Sequence, residues 1–284
     1  MRITTLNIQE MKQRGEKIPM LTAYDFPTAK LLEMAGIPII LVGDSLGQVV
    51  LGYESTVRVT MEEMLHHTKA VARGTTNSLI VADMPFLSYQ TGTEEAIRNA
   101  GRFLQEGMAH AVKLEGGVIA APVIESIVAS GIPVMGHIGF TPQSVHQLGG
   151  YRVQGKTQKS ADGIVSDAIA VEKAGAFAVV LELVPDLLAK FISNQLSIPT
   201  IGIGAGIHCD GQVQVLHDML GLIEDFTPKH AKQYSHQATD IRQAVEKYIT
   251  EVQRKDFPTE KESFPLDENI LCQLMANQRL LEGS

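Results

Sequence analysis

The sequence predicts an α/β protein, and specifically a (β/α)8 barrel. Short apolar segments with the character of strands alternate with helical patterns along most of the 284 residues. A glycine commonly ends a helix just before the next strand, as Gly36, Gly131 and Gly175 do. Alternation of this kind over about 250 residues is typical of a barrel closed by eight parallel strands.

Each element has a local signal. The helix over 27–36, for example, has Pro27 near its start and Gly36 at its end, which is the usual asymmetry of helix termini. We expect helices over residues 4–16, 27–36, 60–73, 93–106, 118–130, 160–174, 186–196 and 229–254. We expect strands over residues 19–25, 39–44, 79–83, 111–115, 134–137, 178–182, 200–203 and 213–218.

The domain prediction follows from this repeat. Residues 1–255 form the barrel with its N-terminal helix, the predicted helix over 229–254 being the one that closes it. Residues 256–284 are a charged C-terminal strap with little apolar periodicity, ending in a short helix over 268–281. The competing fold is a doubly wound open sheet, which binds ligands at a switch point in strand order. The barrel is favoured because the functional candidates come from at least four strands, whose C-terminal ends converge only in a barrel.

The predicted strand over 111–115 carries the most unusual residues. Lys113 and Glu115 point to one side of the strand, and Val112 and Leu114 point to the other. Charge is costly to bury unless it is paired or holds a ligand. The alternative is a simple internal Lys–Glu contact or an edge strand that faces solvent.

Carboxylates recur at the ends of other predicted strands. Asp44, Asp83 and Glu182 each close an apolar run, as Glu115 does. Oxygen ligands of this kind suit a hard cation such as Mg2+. For any single aspartate the alternative is a helix N-cap that follows a strand. His137 lies at the end of the fifth predicted strand, where a role in the site and a purely hydrogen-bonding role are both open.

Composition excludes several classes of function. A formal net charge of −8 gives no basic surface for nucleic acid or an anionic membrane. Cys209 and Cys272 are too few for a disulfide framework or a zinc site. The N-terminal residues lack the apolar segment of a signal peptide, and no apolar run is long enough to span a membrane. We therefore expect a cytoplasmic protein that acts on small molecules.

Seven segments together carry a family resemblance. They occur in the right order between about residues 20 and 264, and no single one of them decides the match. The segments are residues 20–25, 42–46, 81–86, 112–116, 136–143, 148–155 and 200–206. On these segments the sequence resembles the ketopantoate hydroxymethyltransferases. The chain continues past the usual end of that family.

The resemblance implies a TIM barrel of the phosphoenolpyruvate/pyruvate-binding type. It implies transfer of a hydroxymethyl group from 5,10-methylenetetrahydrofolate to 3-methyl-2-oxobutanoate, which gives 2-dehydropantoate on the route to pantothenate and coenzyme A. Asp44 and Asp83 would then be Mg2+ ligands that also meet the substrate, and Glu115 would be a ligand directly or through water. A large homo-oligomer, often a decamer, is a further implication.

The resemblance also implies roles in substrate binding and proton transfer. Ser45 and Lys113 would contact the 2-oxo acid, and Glu182 would be the general base. The chemistry is consistent with these roles, because removal of the C3 proton needs a cation to stabilise the enolate oxygen and a free carboxylate to take the proton. The basic residues Arg152, Lys156 and Lys159 are expected to attract the anionic tail of the folate.

Two other functions are weighed against this one. The first is a relative in the same superfamily that acts on a 2-oxo acid without folate, such as an isocitrate-lyase-like C–C lyase or a phosphonopyruvate-type enzyme. The Cys-Gly-His loop of those enzymes is absent from the sequence. The second is a barrel that binds a metal or metabolite without catalysis, which the intact base and metal positions disfavour.

Overall fold

The structure is a computed structural model that describes the backbone of residues 2–282 and the side chains as far as residue 277. The chain divides into two compact units, Met1–Ser235 and His236–Ser284. The first unit is a closed barrel of eight parallel strands in the order of the sequence, and the last strand pairs with the first. The predicted (β/α)8 barrel is therefore confirmed.

The eight strands are short and lie close to the predicted positions. They are β1 (Ile18–Thr22), β2 (Ile39–Val42), β3 (Leu79–Asp83), β4 (Ala111–Glu115), β5 (Val134–Gly139), β6 (Ala178–Glu182), β7 (Thr200–Ile203) and β8 (Gly211–Gln214). Residues 39–42 and 79–83 are fully buried along their length, as expected for strands covered on both faces.

Twelve α-helices are found between residues 2 and 282. They are α1 (Thr5–Gln13), α2 (Phe26–Met34), α3 (Leu46–Val49), α4 (Met61–Arg73), α5 (Thr93–Gln105), α6 (Ala121–Ala129), α7 (Val145–Leu148), α8 (Gln158–Lys173), α9 (Asp186–Gln195), α10 (Leu216–Leu220), α11 (Gln237–Arg254) and α12 (Glu268–Glu282). Side-chain caps define several starts. Thr60 caps α4 in a reciprocal arrangement with Glu63, and Asp25 accepts a hydrogen bond from the amide of Thr28 at the start of α2.

Side-chain alternation along the strands separates two apolar layers. In β4, Ala111 belongs to the cluster inside the barrel, whereas Val112 and Leu114 belong to the cluster between strands and helices. Lys113 and Glu115 therefore point into the barrel above Ala111. The same alternation of side chains places Asp83 above Val81 and Glu182 above Val180. A layer of charged side chains therefore lies on a layer of apolar ones inside the barrel.

The last part of the barrel differs from the sequence prediction. The expected strand over 213–218 is wrong in its second half, because β8 ends at Gln214 and α10 begins at Leu216. The amide of Leu216 donates a hydrogen bond to Thr22 Oγ1 at 3.0 Å, a tertiary contact that the local alternation of apolar and polar residues does not reveal.

The predicted helix over 229–254 begins only at Gln237 and lies in the second unit. The first unit thus ends at Ser235, earlier than the boundary after residue 255 that the sequence suggested. The apolar periodicity of α11 resembled that of a helix that packs on a core, but none of its residues is buried. Nothing between residues 2 and 282 has both the length and the apolar character of a membrane-spanning helix.

Candidate active site

One cavity of about 660 Å³ lies at the C-terminal ends of the strands. Every residue that the sequence singled out for the site lines it, and these residues are Asp44, Ser45, Asp83, Lys113, Glu115, His137 and Glu182. Strand register explains why they meet. Asp83 is paired with Lys113, Glu115 with His137, and Gly139 with Glu182 on adjacent strands, so the charged side chains lie at one level of the barrel.

An ion pair lies at the centre of the site. Lys113 Nζ is 2.6 Å from Asp83 Oδ1, and both side chains are almost completely buried. The other oxygen of this carboxylate, Asp83 Oδ2, accepts a hydrogen bond from the amide of Asp44 at 3.0 Å. The backbone turn after β2 is therefore held against the end of β3, which fixes the two aspartates beside each other.

Two residues that the sequence analysis did not assign to the site hold its carboxylates. Gln143 Nε2 donates to Asp44 Oδ2 at 2.9 Å, and the Gln143 amide donates to Glu115 Oε2 at 3.0 Å. Tyr89 donates its hydroxyl hydrogen to Gln143 Oε1 at 2.7 Å, which turns the amide nitrogen of Gln143 towards Asp44. Gln143 lies within the family-like segment 136–143, but Tyr89 carried no signal in the sequence.

The side chain of Glu182 lies beside a histidine. His137 Nε2 lies 3.1 Å from Glu182 Oε2. The backbone beneath Glu182 is closely packed. Gly139 has a φ of +89°, and a Cβ at this position would collide with the Glu182 carbonyl, so only glycine fits here.

The tautomer of His137 follows from its neighbours. Lys113 Nζ lies 3.1 Å from His137 Nδ1, and an ammonium group can only donate. His137 Nδ1 is therefore an acceptor and the ring proton is on Nε2, directed to the side of Glu182. Burial and the charge of Lys113 both lower the pKa of His137, so the ring is neutral near pH 7.

Buried negative charge exceeds buried positive charge in this site. Burial raises the pKa of Asp44 well above its usual range, and Asp83 and Glu115 add to this effect. Burial also raises the pKa of Glu115 to about 8 and raises the pKa of Glu182. Burial opposes the charge of Lys113, but the surrounding carboxylates outweigh it and raise the pKa of the ammonium. The site therefore needs either protons or a further cation.

The donor set fits a divalent cation. Glu115 Oε1 is buried and has no hydrogen-bond donor within the described part of the chain, and the buried Asp83 Oδ1 meets only the ammonium group of Lys113. No three His, Cys, Asp or Glu side chains of the described residues are placed so that all could bind one ion. Mg2+ typically takes one or two protein carboxylates and completes its shell with water and substrate oxygens, so two carboxylates from the group Asp44, Asp83 and Glu115 are enough to hold it.

The raised pKa of Glu115 predicts how stability depends on pH. A carboxyl whose pKa is about 8 in the folded protein and about 4.5 in the unfolded chain stabilises the fold fully below about pH 4.5. This contribution falls as pH rises and is lost above about pH 8. We expect the melting temperature, measured with EDTA present, to fall by several degrees between about pH 5 and pH 8. Glu115→Gln should lessen the fall, and an equal fall in both proteins would contradict the assignment.

Lys113 is expected to control the protonation of His137. Removal of the ammonium by Lys113→Met should raise the pKa of His137, because the charge of Lys113 lowers it. The variant should also bind the 2-oxo acid at least about tenfold more weakly. Histidine NMR titration and calorimetry measure the two effects, with the exposed Lys190→Met as the control. An unchanged His137 pKa together with normal substrate affinity would leave Lys113 a purely structural partner of Asp83.

The cavity also includes residues that the sequence analysis did not select. Tyr151, Asp218 and His230 line its wall. Tyr24 is not a lining residue, but its hydroxyl oxygen lies 2.8 Å from that of Ser45, which is one. Arg152, Lys156 and Lys159, which were expected to attract the folate tail, are not among the lining residues. Their effect on folate binding stays a prediction.

A closed (β/α)8 barrel with a charged cavity at the C-terminal ends of its strands has the architecture of the (β/α)8-barrel enzymes, whose active sites lie at this end. Solved structures with the same fold include a phosphonopyruvate hydrolase, with a TM-score of 0.61, 14% identity and coverage of 99% of this chain and 98% of the other. A second is a 2,3-dimethylmalate lyase, described as a PEP mutase/isocitrate lyase superfamily member, with a TM-score of 0.59 and 15% identity. The match covers 100% of this chain and 99% of the other. At this identity the likeness concerns the fold alone.

Sequence comparison is far more specific. The family model for ketopantoate hydroxymethyltransferase matches residues 2–260. A 3-methyl-2-oxobutanoate hydroxymethyltransferase of Dehalococcoides mccartyi is 61% identical over 274 residues, which are 96% of this chain and 97% of that protein. The enzyme of the same name from Clostridium botulinum is 56% identical, with coverage of 96% and 100%. The chain belongs to the ketopantoate hydroxymethyltransferase family and is a transferase.

Proposed function

We propose that this enzyme transfers the hydroxymethyl group from 5,10-methylenetetrahydrofolate to 3-methyl-2-oxobutanoate with the help of Mg2+. One observation carries the proposal, namely the division of the buried carboxylates into two sets. Asp44, Asp83 and Glu115 are connected through Lys113 and Gln143. Glu182 lies beside His137 instead, at 3.1 Å from Nε2, and Nδ1 of the same ring is 3.5 Å from Glu115 Oε1. One set can hold a cation, and the other carboxylate is free to act as a base.

Asp44 and Asp83 would hold the Mg2+ ion, with Glu115 as a ligand directly or through water. The bound ion supplies a Lewis acid that polarises the keto group of the substrate and so makes its C3 proton more acidic. Lys113 neutralises negative charge on the 2-oxo acid, and the hydroxyl of Ser45 donates a hydrogen bond to it.

Glu182 takes the proton from C3 of the substrate. Its raised pKa makes it a stronger base than an exposed carboxylate, and the neutral ring of His137 keeps it in place without neutralising it. The carbanion carbon then forms a bond to the methylene carbon of the donor. Both bonds from the methylene carbon to folate nitrogens break, the first as the carbon–carbon bond forms and the second as water provides the hydroxyl oxygen. The two nitrogens take up the C3 proton held by Glu182 and one proton of the water, so that tetrahydrofolate and 2-dehydropantoate are the products.

The proposal is tested by turnover with defined substrates. The purified protein is mixed with 3-methyl-2-oxobutanoate, 5,10-methylenetetrahydrofolate and Mg2+, and formation of 2-dehydropantoate and tetrahydrofolate is followed. We expect equal amounts of the two products and loss of turnover after treatment with EDTA, restored by Mg2+. Turnover that persists with EDTA would contradict the metal, and no product from the folate donor would contradict the reaction.

Assembly and location are separate proposals that rest on the family resemblance. We propose a large ring of identical chains, with a decamer as the expected size, and a cytoplasmic location. Sedimentation of the purified protein tests the first, and fractionation of cells tests the second. A monomer at micromolar concentration would contradict the assembly.

A further inference from the structure

We propose that Asp218 binds the amino-pyrimidine edge of the pterin ring of the folate substrate. The inference rests on the proposed function, because it assigns a binding site to the donor in that reaction. Asp218 lies on the short helix α10 and lines the same cavity as the catalytic carboxylates. It is not part of the group of side chains that surrounds Lys113.

The cavity is larger than the 2-oxo acid requires. Its volume of about 660 Å³ lies well within the range of about 300–1,000 Å³ of pockets that enclose a drug-sized ligand. A small acid held at Asp44 and Lys113 leaves much of this space free. The methylene carbon must reach C3 of the substrate, so the pterin that carries it has to enter the same cavity.

The free part of the cavity has the character of a site for a flat ring. Val215, Ile223, Phe226 and Pro228 provide its apolar wall. Phe226 is 69% exposed, which leaves its ring accessible to a ligand in the cavity. A planar heterocycle is such a partner, because aromatic rings gain from stacking as well as from burial.

Asp218 offers two free acceptors beside this wall. No hydrogen bond or ion pair to its carboxylate is found among the described residues. The side chain is half-buried, and this burial raises the pKa of Asp218. His230 is close enough to affect it, but burial lowers the pKa of His230, and the two do not form an ion pair.

Tyr24 connects this carboxylate with the substrate side of the cavity. The ring centroids of Tyr24 and His217, the residue before Asp218 on α10, are 5.4 Å apart, and the charge of Asp218 contributes to the raised pKa of Tyr24. The Tyr24 hydroxyl in turn lies 2.8 Å from Ser45 Oγ, next to Asp44. Helix α10 is fixed at its start by the hydrogen bond from the amide of Leu216 to Thr22. A ligand at Asp218 is therefore close to the 2-oxo acid.

The chemistry of the pterin edge matches a carboxylate. The ring presents a ring N–H and an amino group side by side, both of which are donors. A carboxylate has two adjacent acceptors, whereas an amide has one acceptor and one donor. Lys229 and His230, the other polar groups at this end, cannot offer two acceptors. Paired hydrogen bonds to a charged group are among the strongest in proteins.

Asp218→Asn tests the assignment by binding and by kinetics. The dissociation constant of tetrahydrofolate, measured by calorimetry without the 2-oxo acid, should rise about ten- to a hundredfold. The Michaelis constant of the folate donor should rise with it. The matched control is Asp225→Asn, which removes the same charge from an exposed neighbour that does not line the cavity and should bind tetrahydrofolate normally.

A change in the ligand tests the same contact from the other side. A tetrahydrofolate that lacks the 2-amino group should bind more weakly to the unmodified protein, since one oxygen of Asp218 then loses its donor. In Asp218→Asn, this ligand should bind almost as well as tetrahydrofolate does. If removal of the 2-amino group lowered the affinity equally in the unmodified protein and in Asp218→Asn, the inference would be overturned.

Exchange of the C3 proton of 3-methyl-2-oxobutanoate in deuterated water separates the possible failures, because it does not involve folate. We expect Asp218→Asn to keep this exchange. Normal tetrahydrofolate affinity in the variant would overturn the inference and leave the proposed function intact. Loss of both exchange and folate binding would also overturn it, since Asp218 would then be a structural residue. No exchange by the unmodified protein would contradict the proposed function itself.

Discussion

Glu182→Gln is expected to slow hydroxymethyl transfer by about 10²–10⁴-fold, the usual contribution of a positioned general base. The amide keeps the shape of the side chain but cannot accept the C3 proton. Binding of Mg2+ and of the 2-oxo acid should be retained, because Glu182 lies beside His137 and not beside Asp44 or Asp83. Steady-state turnover and calorimetric titration of the 2-oxo acid with Mg2+ measure the two properties.

Two further variants control this experiment. Glu125→Gln makes the same change on the exposed face of α6 and should turn over normally. Glu182→Asp keeps the carboxylate but withdraws it by one methylene, so its rate should lie between those of the unmodified protein and the Gln variant. A Gln variant that turns over normally, or one that loses Mg2+-dependent binding, would show that Glu182 is not the base.

Asp83→Asn is expected to abolish Mg2+-dependent binding of the 2-oxo acid. The variant removes one charge from the proposed metal site and also breaks the 2.6 Å ion pair with Lys113. Loss of an outer-shell partner of a metal already costs roughly 10–100-fold in affinity, and loss of a direct ligand should exceed this. Calorimetric titration of 3-methyl-2-oxobutanoate at fixed Mg2+ concentration gives the affinity.

The fold of the variant must be examined in parallel, because a buried lysine loses its closest partner. Asp44 and Glu115 still lie near Lys113, so the melting temperature should fall without loss of the folded state. Asp162→Asn, an exposed change on α8, is the matched control. A variant that is folded and binds the 2-oxo acid with an unaltered dependence on Mg2+ would remove Asp83 from the metal site.

The sequence predicted most of the barrel because its signals are local. Period-2 alternation and the glycine that follows each helix are properties of ten or so neighbouring residues, and they located β3, β4 and β6 to the residue. The errors lie where distant contacts decide the structure. Residues 213–218 alternate as a strand does, but the hydrogen bond from the amide of Leu216 to Thr22 starts a helix there instead.

The candidate site was predictable to the extent that it is built from strand ends. Asp83, Lys113, Glu115 and Glu182 converge because parallel strands in a barrel bring their C-terminal ends together. Gln143 could not be assigned in this way, because it comes from a short 3₁₀ turn after β5 whose position depends on tertiary structure. The sequence also could not show which carboxylates share partners, and that division is what the mechanism requires.

Exchange of the C3 proton of 3-methyl-2-oxobutanoate in deuterated water, with Mg2+ present and folate absent, tests the central claim most directly. The claim is that this barrel removes that proton with Glu182 while the other carboxylates hold the metal. The account predicts exchange by the unmodified protein that EDTA abolishes, and exchange slowed by about 10²–10⁴-fold in Glu182→Gln. Exchange at the same rate in both proteins would contradict it.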